Sequence, residues 1–342
     1  MIVLRPTIIQ VAARAGVSKS TASLALRGAP VSSDARSRVR AAADELGYVH
    51  DRAAAAMRGG RSGTIGLIVS DLTNPFYAEL CAGVSERLEA DGALALLSDT
   101  REDLDRQARV LGRMREHRLD GLILSAAVGT EASALGQQMP AGLPVVQALR
   151  RVEGLATDYS GADNAAGTSA VGRYLVQLGH RRIAFAGGTA QTSVQRDRYG
   201  GLASALAAEG HPAPVRIPCP ATLAGGVAAA EAALDHRDKP TALVCFNDVI
   251  AIGATIALAQ RRLLPGHDLS VVGFDDIAEA ALRRPALTTV SIQPRAIGRR
   301  AAELILERLE EPNGPPRAVI QDTRLVCRET TAAPKSLRRQ HA

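Results

Sequence analysis

The chain has 342 residues, of which 46% are apolar and 22% charged, and it carries a net charge of +6 at pH 7. This length exceeds what one hydrophobic core usually serves, so we expect two or three folding units, and the apolar content excludes bulk disorder. Four scattered cysteines without a C-x-x-C pair predict a reduced, cytoplasmic chain with neither structural zinc nor another cofactor. The N-terminus lacks the apolar core of a signal peptide, and no later run is long enough to span a bilayer.

The positive charge is concentrated at the N-terminal end. Up to Ser62 there are ten basic and four acidic residues, whereas the remainder has 31 of each. A local basic excess is the electrostatic signature of a polyanion partner, although a compositional bias towards arginine could also produce it.

Residues 1–48 form a predicted helical head. Three short helical stretches each follow a serine or threonine that can cap them, and each ends at a glycine. The capping residues are Thr7, Ser18 and Ser33, and the glycines are Gly16, Gly28 and Gly47.

The second predicted helix has two different faces. At 100° per residue, one side holds Thr21, Ala22, Ala25 and Leu26, and the other holds Lys19, Ser20, Ser23, Leu24 and Arg27. The second set suits the DNA major groove, where lysine and serine reach base edges and an apolar side chain can meet a thymine methyl. With the tight Ala15–Ser18 turn, these features predict a helix-turn-helix; a solvated helical hairpin that binds nothing is the alternative.

From Thr64 the pattern changes to short apolar runs separated by helical stretches, which is typical of parallel sheets covered on both faces. The predicted strands are TIGLIVS, ALALLSD, GLILSA, PVVQAL, RIAFAGG, PVRIP, TALVCFND, SVVGFDD and TTVSIQ. The strand–loop–helix–glycine pattern occurs twice, so we predict an α/β body of two doubly wound parallel-sheet lobes, crossed near Ser160–Asn164 and near Gln293. Ligands bind beyond the carboxyl ends of such strands, so the loops there should line a cleft between the lobes.

Several motifs together resemble the lactose-repressor (LacI/GalR) family of bacterial transcription regulators. They are TIIQVAARAGVSKSTASLALRG, VSSDARSRVRAAADELGY, TIGLIVSDLTNPFYAEL, DGLIL, GADNAAG, LGHRRIAFAGG, FNDVIAIGA, SVVGFDD and LTTVSIQP, in the expected order over residues 7 to about 330. The resemblance implies a head (1–48), a hinge or linker (49–62) and a periplasmic-binding-protein-like body (63–330). Lobe one would comprise about 63–160 with part of 293–330, lobe two about 163–290, and a basic tail 331–342.

The resemblance also gives a role to the alanine-rich stretch after Tyr48. In the family this hinge folds into a helix on operator DNA, and an apolar side chain wedges into a minor-groove base step. Met57 stands at that wedge position, where leucine is usual. The predicted DNA contacts are Thr7, Lys19, Ser20, Thr21, Ser23, Leu24, Arg27, Tyr48, Ala54 and Met57.

Loop residues after the strands are the candidate effector contacts. They are Asp71, Asn74 and Phe76 in lobe one, and Arg196, Arg198, Asn247 and Asp275 in lobe two. In the family, the residues matching Arg198 and Asp275 commonly hydrogen-bond the effector, and an arginine opposed to an aspartate suits a sugar or a small polar metabolite. The alternative is local: Asn247 and Asp248 could cap a helix beginning at Val249, and Asp71 could only end its strand.

The functional prediction is a repressor that binds a palindromic operator as a homodimer and associates with the nucleoid. An effector that binds one closure angle of the lobes more tightly would change the separation between the hinge segments of the two subunits. The sequence leaves open whether such an effector releases DNA or acts as a corepressor. The tail has no leucine heptad, which favours a dimer over a tetramer. An enzyme is disfavoured because common catalytic and phosphate-binding motifs are missing. An exported sugar receptor is disfavoured by the basic head, and an effector-insensitive regulator remains the main alternative.

Overall fold

The computed structural model describes residues 6–26, 29–48, 61–188 and 192–335. The chain divides into two compact units, Met1–Ser62 and Gly63–Ala342. The predictions made for Arg27, Gly28, Ala54, Met57 and the end of the basic tail lie outside the described residues.

The N-terminal unit contains three helices, α1 (Ile8–Ala15), α2 (Lys19–Leu26) and α3 (Ser33–Leu46). They enclose a small core of buried side chains from each helix, among them Val11, Ala22 and Val39. These contacts hold together helices that are each too short to be stable alone.

The helix ends follow the sequence closely. Thr7 and Gln10 form a reciprocal capping box on α1, and the Ser18 hydroxyl accepts the Thr21 N–H at 3.0 Å on α2. The predicted cap of α3 was wrong by one residue: Ser32 accepts the Ala35 N–H at 3.2 Å, because the helix already begins at Ser33.

The second unit alternates strands and helices. Its strands are β1 (Thr64–Val69), β2 (Leu94–Asp99), β3 (Gly121–Leu124), β4 (Val145–Ala148), β5 (Asp158–Ala162), β6 (Ile183–Ala186), β7 (Val215–Ile217), β8 (Ala242–Cys245), β9 (Ser270–Val272), β10 (Thr289–Ser291), β11 (Ala318–Gln321) and β12 (Arg324–Val326). Its helices are α4 (Pro75–Ala90), α5 (Leu104–Glu116), α6 (Ala132–Gln138), α7 (Asn164–Gln177), α8 (Ser193–Ala208), α9 (Leu223–Asp235), α10 (Asp248–Gln260), α11 (Ala278–Leu282) and α12 (Pro294–Glu310).

Two parallel sheets form the centres of the two lobes. The lobe-one sheet has the order β11-β5-β4-β3-β1-β2, and the lobe-two sheet has the order β7-β6-β8-β9. Strands β10 and β12 form a separate antiparallel pair. The predicted fold class, a helix-turn-helix head with two doubly wound α/β lobes, is confirmed.

The chain crosses between the lobes three times, whereas the sequence predicted two crossings. The additional crossing lies between β11, which pairs with β5 in lobe one, and β12, which pairs with β10. The segment after β12 then packs on lobe two, where the Ala332 carbonyl lies 2.9 Å from His180 Nε2 and Thr330 is fully buried. Residues 331–335, which we assigned to the tail, therefore form part of the folded body.

Candidate functional site

Helix α2 presents a polar face with one exposed apolar side chain. Lys19 and Ser20 are exposed, Ser23 is half-buried, and Leu24 is 44% exposed although it is a leucine. The opposite face, with Ala22 and Ala25, is buried in the small core. The side chains of α2 that were predicted to contact DNA bases therefore lie on the face that is not buried in the core.

The other described DNA-contact candidates lie at helix ends. Thr7 is exposed at the start of α1, and Tyr48 is half-buried just after α3. Thr21 is also half-buried, and its hydroxyl oxygen lies 2.8 Å from that of Ser18. Its hydroxyl is therefore already engaged at the N-terminus of α2.

A cavity of about 60 Å³ lies between the two lobes of the body. Six of the seven predicted effector residues line it: Asp71, Asn74, Phe76, Arg198, Asn247 and Asp275. Arg196 does not. Its side chain is half-exposed and lies 3.9 Å from Glu153.

Arg198 is fixed in the lobe-two wall of this cavity. Its Nε donates to Asn164 Oδ1 at 2.8 Å, its Nη2 donates to Asp275 Oδ1 at 3.2 Å, and its Nη1 donates to the Phe246 carbonyl. The guanidinium also lies over the rings of Phe246 and Phe274, at 4.8 and 3.7 Å from their centroids. These contacts hold the arginine in one orientation before any ligand binds.

Asp275 faces Arg198 from a strained loop. Its backbone has a φ of 118°, which L-residues rarely adopt, and such strain persists only where the surrounding structure enforces it. Burial raises the pKa of Asp275 to about 6, although Arg198 and the side-chain amide of Asn74 act in the opposite direction. Because Asn74 belongs to lobe one and Asp275 to lobe two, the two side chains line the cavity from opposite lobes.

The lobe-one wall contains a second ion pair that the sequence analysis missed. Arg150 donates to both carboxylate oxygens of Glu102, at 2.5 and 2.8 Å, and to the Ala126 carbonyl at 2.9 Å. Both charged residues line the cavity. They follow β4 and β2, so the rule that ligand-binding loops follow the strands could have identified them.

The local alternatives considered for Asn247 and Asp71 coexist with cavity lining. Asn247 Oδ1 accepts the Ile250 N–H at 3.0 Å and so caps α10, which begins at Asp248 rather than at Val249. Asp71 Oδ1 accepts from both the N–H and the hydroxyl of Thr73, at 2.9 and 2.6 Å. The caps therefore fix these side chains on the cavity wall.

The cavity is smaller than the roughly 300–1,000 Å³ of typical small-molecule pockets, so a sugar-sized ligand does not fit in this conformation. At the rim, the Arg151 N–H donates to the Ser193 hydroxyl across the lobes at 3.0 Å. This contact joins the two lobes at the rim of the cleft.

No group of three or more histidine, cysteine, aspartate or glutamate side chains within the described ranges is placed to hold a metal ion. None of the helices in those ranges is long and apolar enough to cross a membrane.

The chain combines a small helical unit, in which α2 exposes a polar face, with a two-lobed body that contains a polar cleft. This combination is typical of a ligand-responsive DNA-binding regulator. Residues 7–51 match the bacterial regulatory proteins of the lacI family, and residues 173–331 match a periplasmic binding protein-like domain. The maltose regulon regulatory protein MalI of Escherichia coli (strain K12) is 32% identical over 333 residues, which cover 94% of this chain and 97% of the relative.

Two solved structures are similar over most of the chain. The Lac repressor dimer bound to operator and the anti-inducer ONPF has a TM-score of 0.85 at 26% identity and covers 96% of this chain and 100% of that chain. A complex of the transcriptional regulator CelR with cellobiose has a TM-score of 0.72 at 30% identity, with 95% and 100% coverage. The chain belongs to the lacI family of bacterial regulatory proteins, and it is a DNA-binding transcription regulator rather than an enzyme.

Proposed function

We propose that this protein is a repressor that binds a palindromic operator as a homodimer under the control of a sugar or related polar metabolite in the interlobe cleft. The observation that carries the proposal is the Arg198–Asp275 pair, which the fold buries and orients inside the cavity. An arginine in a fixed orientation, with a carboxylate beside it, recognises hydroxyl groups as both donor and acceptor.

The charges of the cavity disfavour an anionic ligand, since Asp71 adds a carboxylate to two arginine–carboxylate pairs. Arg198 is paired with Asp275 in one wall, and Arg150 is paired with Glu102 in the other. Neither arginine leaves a net positive charge for an anionic ligand, whereas both pairs offer hydrogen-bond donors and acceptors. This supports a polyhydroxyl compound, and the names of the relatives refer to maltose and to cellobiose.

For DNA reading, we propose that Lys19, Ser20, Ser23 and Leu24 meet the major groove. Lys19, Ser20 and Leu24 are exposed on α2 and Ser23 is half-buried beside them, which supports this role. Supporting contacts from Thr7, Thr21, Arg27 and Tyr48, and hinge contacts from Ala54 and Met57, complete the proposed interface. Because it acts on chromosomal DNA, we infer that the protein works in the cytoplasm and associates with the nucleoid when bound.

We propose that the protein self-associates as a homodimer. Its relative, the Lac repressor, binds operator as a dimer. A dimer would place two reading helices on the two halves of a symmetric operator.

The test begins with selection of random duplex DNA on the purified protein, followed by titration of the selected site at several salt concentrations. We expect a two-fold-symmetric site with a Kd of roughly 10⁻⁸ M or tighter and a steep salt dependence. The same titration with cellobiose, maltose, lactose and ribose then tests effector control. Tight binding that no sugar or metabolite extract changes would instead support the effector-insensitive regulator.

A further inference from the structure

Asp248 lies behind the cleft, where it joins three segments of lobe two. Its side chain is fully buried at the first position of α10. Oδ2 accepts the Ile277 N–H at 2.9 Å, and Oδ1 accepts the Thr289 hydroxyl at 2.5 Å. Its own N–H donates to the Phe274 carbonyl at 2.8 Å. One residue thus connects α10, the loop after β9 and strand β10.

The loop that it holds is the one that presents Asp275 to the cavity. Asp275 and Asp276 both have positive φ values, 118° and 57°, although neither is glycine. A side chain on the preceding Gly273 would place its Cβ 2.0 Å from Asp248 Oδ1. The loop therefore depends on the close approach of this carboxyl group, which only glycine at position 273 permits.

Strand β10, the other partner, leads directly to a crossing between the lobes. It runs from Thr289 to Ser291, and the chain enters lobe one at α12 three residues later. The Asp275 N–H also donates to the Val290 carbonyl at 2.9 Å. The loop and the crossing strand are thus fastened together by a backbone bond and by the Asp248 side chain.

We propose that Asp248 is a positioning residue for effector binding, which fixes the loop carrying Asp275 and fastens it to the strand that leads into lobe one. The inference rests on the cleft being the effector site. The role needs one side-chain oxygen for Ile277 and a second hydrogen-bonding atom for Thr289, so asparagine can fill it and alanine cannot.

Strand β10 and the residue before it offer a matched pair of variants. Thr288 and Thr289 are both fully buried, yet their hydroxyls serve different partners. Thr289 donates to Asp248, whereas the Thr288 hydroxyl accepts the Arg328 N–H at 2.9 Å and lies 3.0 Å from the Thr331 hydroxyl. Thr289→Val removes the proposed contact, and Thr288→Val removes a comparable buried hydroxyl that does not bond to Asp248.

The experiment is backbone hydrogen exchange on the full-length, ligand-free protein, with melting temperatures to confirm folding. We expect Thr289→Val and Asp248→Ala to speed exchange at the amides of Asp275 and Ile277 by about tenfold, the loss of one buried hydrogen bond. Asp248→Asn should stay near the wild-type rate, and so should Thr288→Val. Unchanged exchange in Thr289→Val, or equal acceleration in Thr288→Val, would overturn the proposal.

Calorimetry with cellobiose as the probe measures the effect of the same variants on ligand binding. If the wild type binds it, Thr289→Val should raise the Kd about fivefold or more, since a loosened loop must be ordered on binding, and Thr288→Val should not. An unchanged Kd in Thr289→Val would remove the role in binding. If no sugar binds the wild type, the sugar proposal fails, whereas the exchange result still decides whether Asp248 fixes the loop.

Discussion

The two walls of the cleft are built differently, although each contains an arginine–carboxylate pair. In lobe two, Arg198 and Asp275 are almost fully buried, and the guanidinium packs against two aromatic rings. In lobe one, the Arg150 side chain is 13% exposed and that of Glu102 is 34% exposed. The lobe-two wall is therefore preorganised, whereas the lobe-one wall can adjust to a ligand. We infer that lobe two supplies most of the binding energy and that lobe one tunes which sugar is accepted.

The largest effect should come from removing the centre of the lobe-two wall. Arg198→Ala is expected to abolish sugar binding and the sugar-dependent change in operator affinity, while operator affinity without sugar stays within about threefold of wild type. Arg196→Ala is the matched control, because Arg196 lies two residues away on α8 but outside the cavity. Calorimetry and operator titration measure both variants, and a retained sugar response in Arg198→Ala would exclude this arginine from the site.

Changing the lobe-one wall should have a smaller effect that depends on the ligand. Glu102→Gln leaves Arg150 without its bidentate carboxylate, so we expect about tenfold weaker binding of the preferred sugar and an altered ranking of related sugars. Glu153→Gln, which removes an exposed carboxylate outside the cavity, serves as the control. Equal weakening of every sugar in the panel would contradict the tuning role of lobe one.

The buried carboxyl groups of lobe two should make stability depend on pH. Burial, reinforced by the nearby Asp275, raises the pKa of Asp248 to about 7, and burial raises that of Asp275 to about 6. In the unfolded chain both titrate at about 4, so the folded chain binds more protons between about pH 4 and pH 7. The free energy of unfolding should therefore fall as the pH rises through this range.

Asp248→Asn removes one of these groups and should make that decline shallower. Urea unfolding at pH 5 and pH 8 measures the difference between the two proteins. Asp158→Asn provides a contrast, because hydrogen bonds from Arg308 and Arg317 offset the burial of this carboxyl and lower its pKa. If Asp248→Asn left the decline unchanged, the assignment of the pH dependence to the lobe-two carboxyl groups would be wrong.

The smallest effect is expected at the rim that joins the two walls. Ser193→Ala removes the hydroxyl that accepts the Arg151 N–H, so the lobes should separate more easily and the sugar association rate should rise about two- to fivefold. Ser169→Ala is the control, since its hydroxyl accepts from Arg173 within one lobe at 2.8 Å. Stopped-flow measurement of the association rate tests this, and a slower rate in Ser193→Ala would show that the contact does not restrain opening.

The residues of the Arg198–Asp275 pair were predicted from the sequence, whereas those of the Arg150–Glu102 pair were missed. Arg198 and Asp275 are 77 residues apart, yet the family resemblance assigns a role to each of them. Glu102 and Arg150 lie outside the motifs that carry the resemblance, and they meet because β2 and β4 end at the same side of one parallel sheet. Without such a resemblance, pairing between distant residues depends on the tertiary fold, which local patterns do not encode.

Three strands, β5, β11 and β12, were not predicted, because local patterns gave little signal for them. Strand β5 (Asp158–Ala162) is fully buried but reads DYSGA, without the apolar run that marked the other parallel strands. Its first residue is held by Arg308 and Arg317, from the C-terminal part of the chain. Strands β11 and β12 are short and partly exposed, so hydrophobic periodicity gave little signal for them.

The most direct test of the account is the affinity of the wild-type protein for its selected operator with and without each sugar of the panel, at one fixed salt concentration. We predict that one neutral sugar changes the Kd by about tenfold or more, which corresponds to a coupling free energy of about 1.4 kcal/mol. We also predict that the change disappears in Arg198→Ala and persists in Arg196→Ala. An operator affinity that no neutral sugar alters, or that only an anionic compound alters, would contradict the assignment of the cleft.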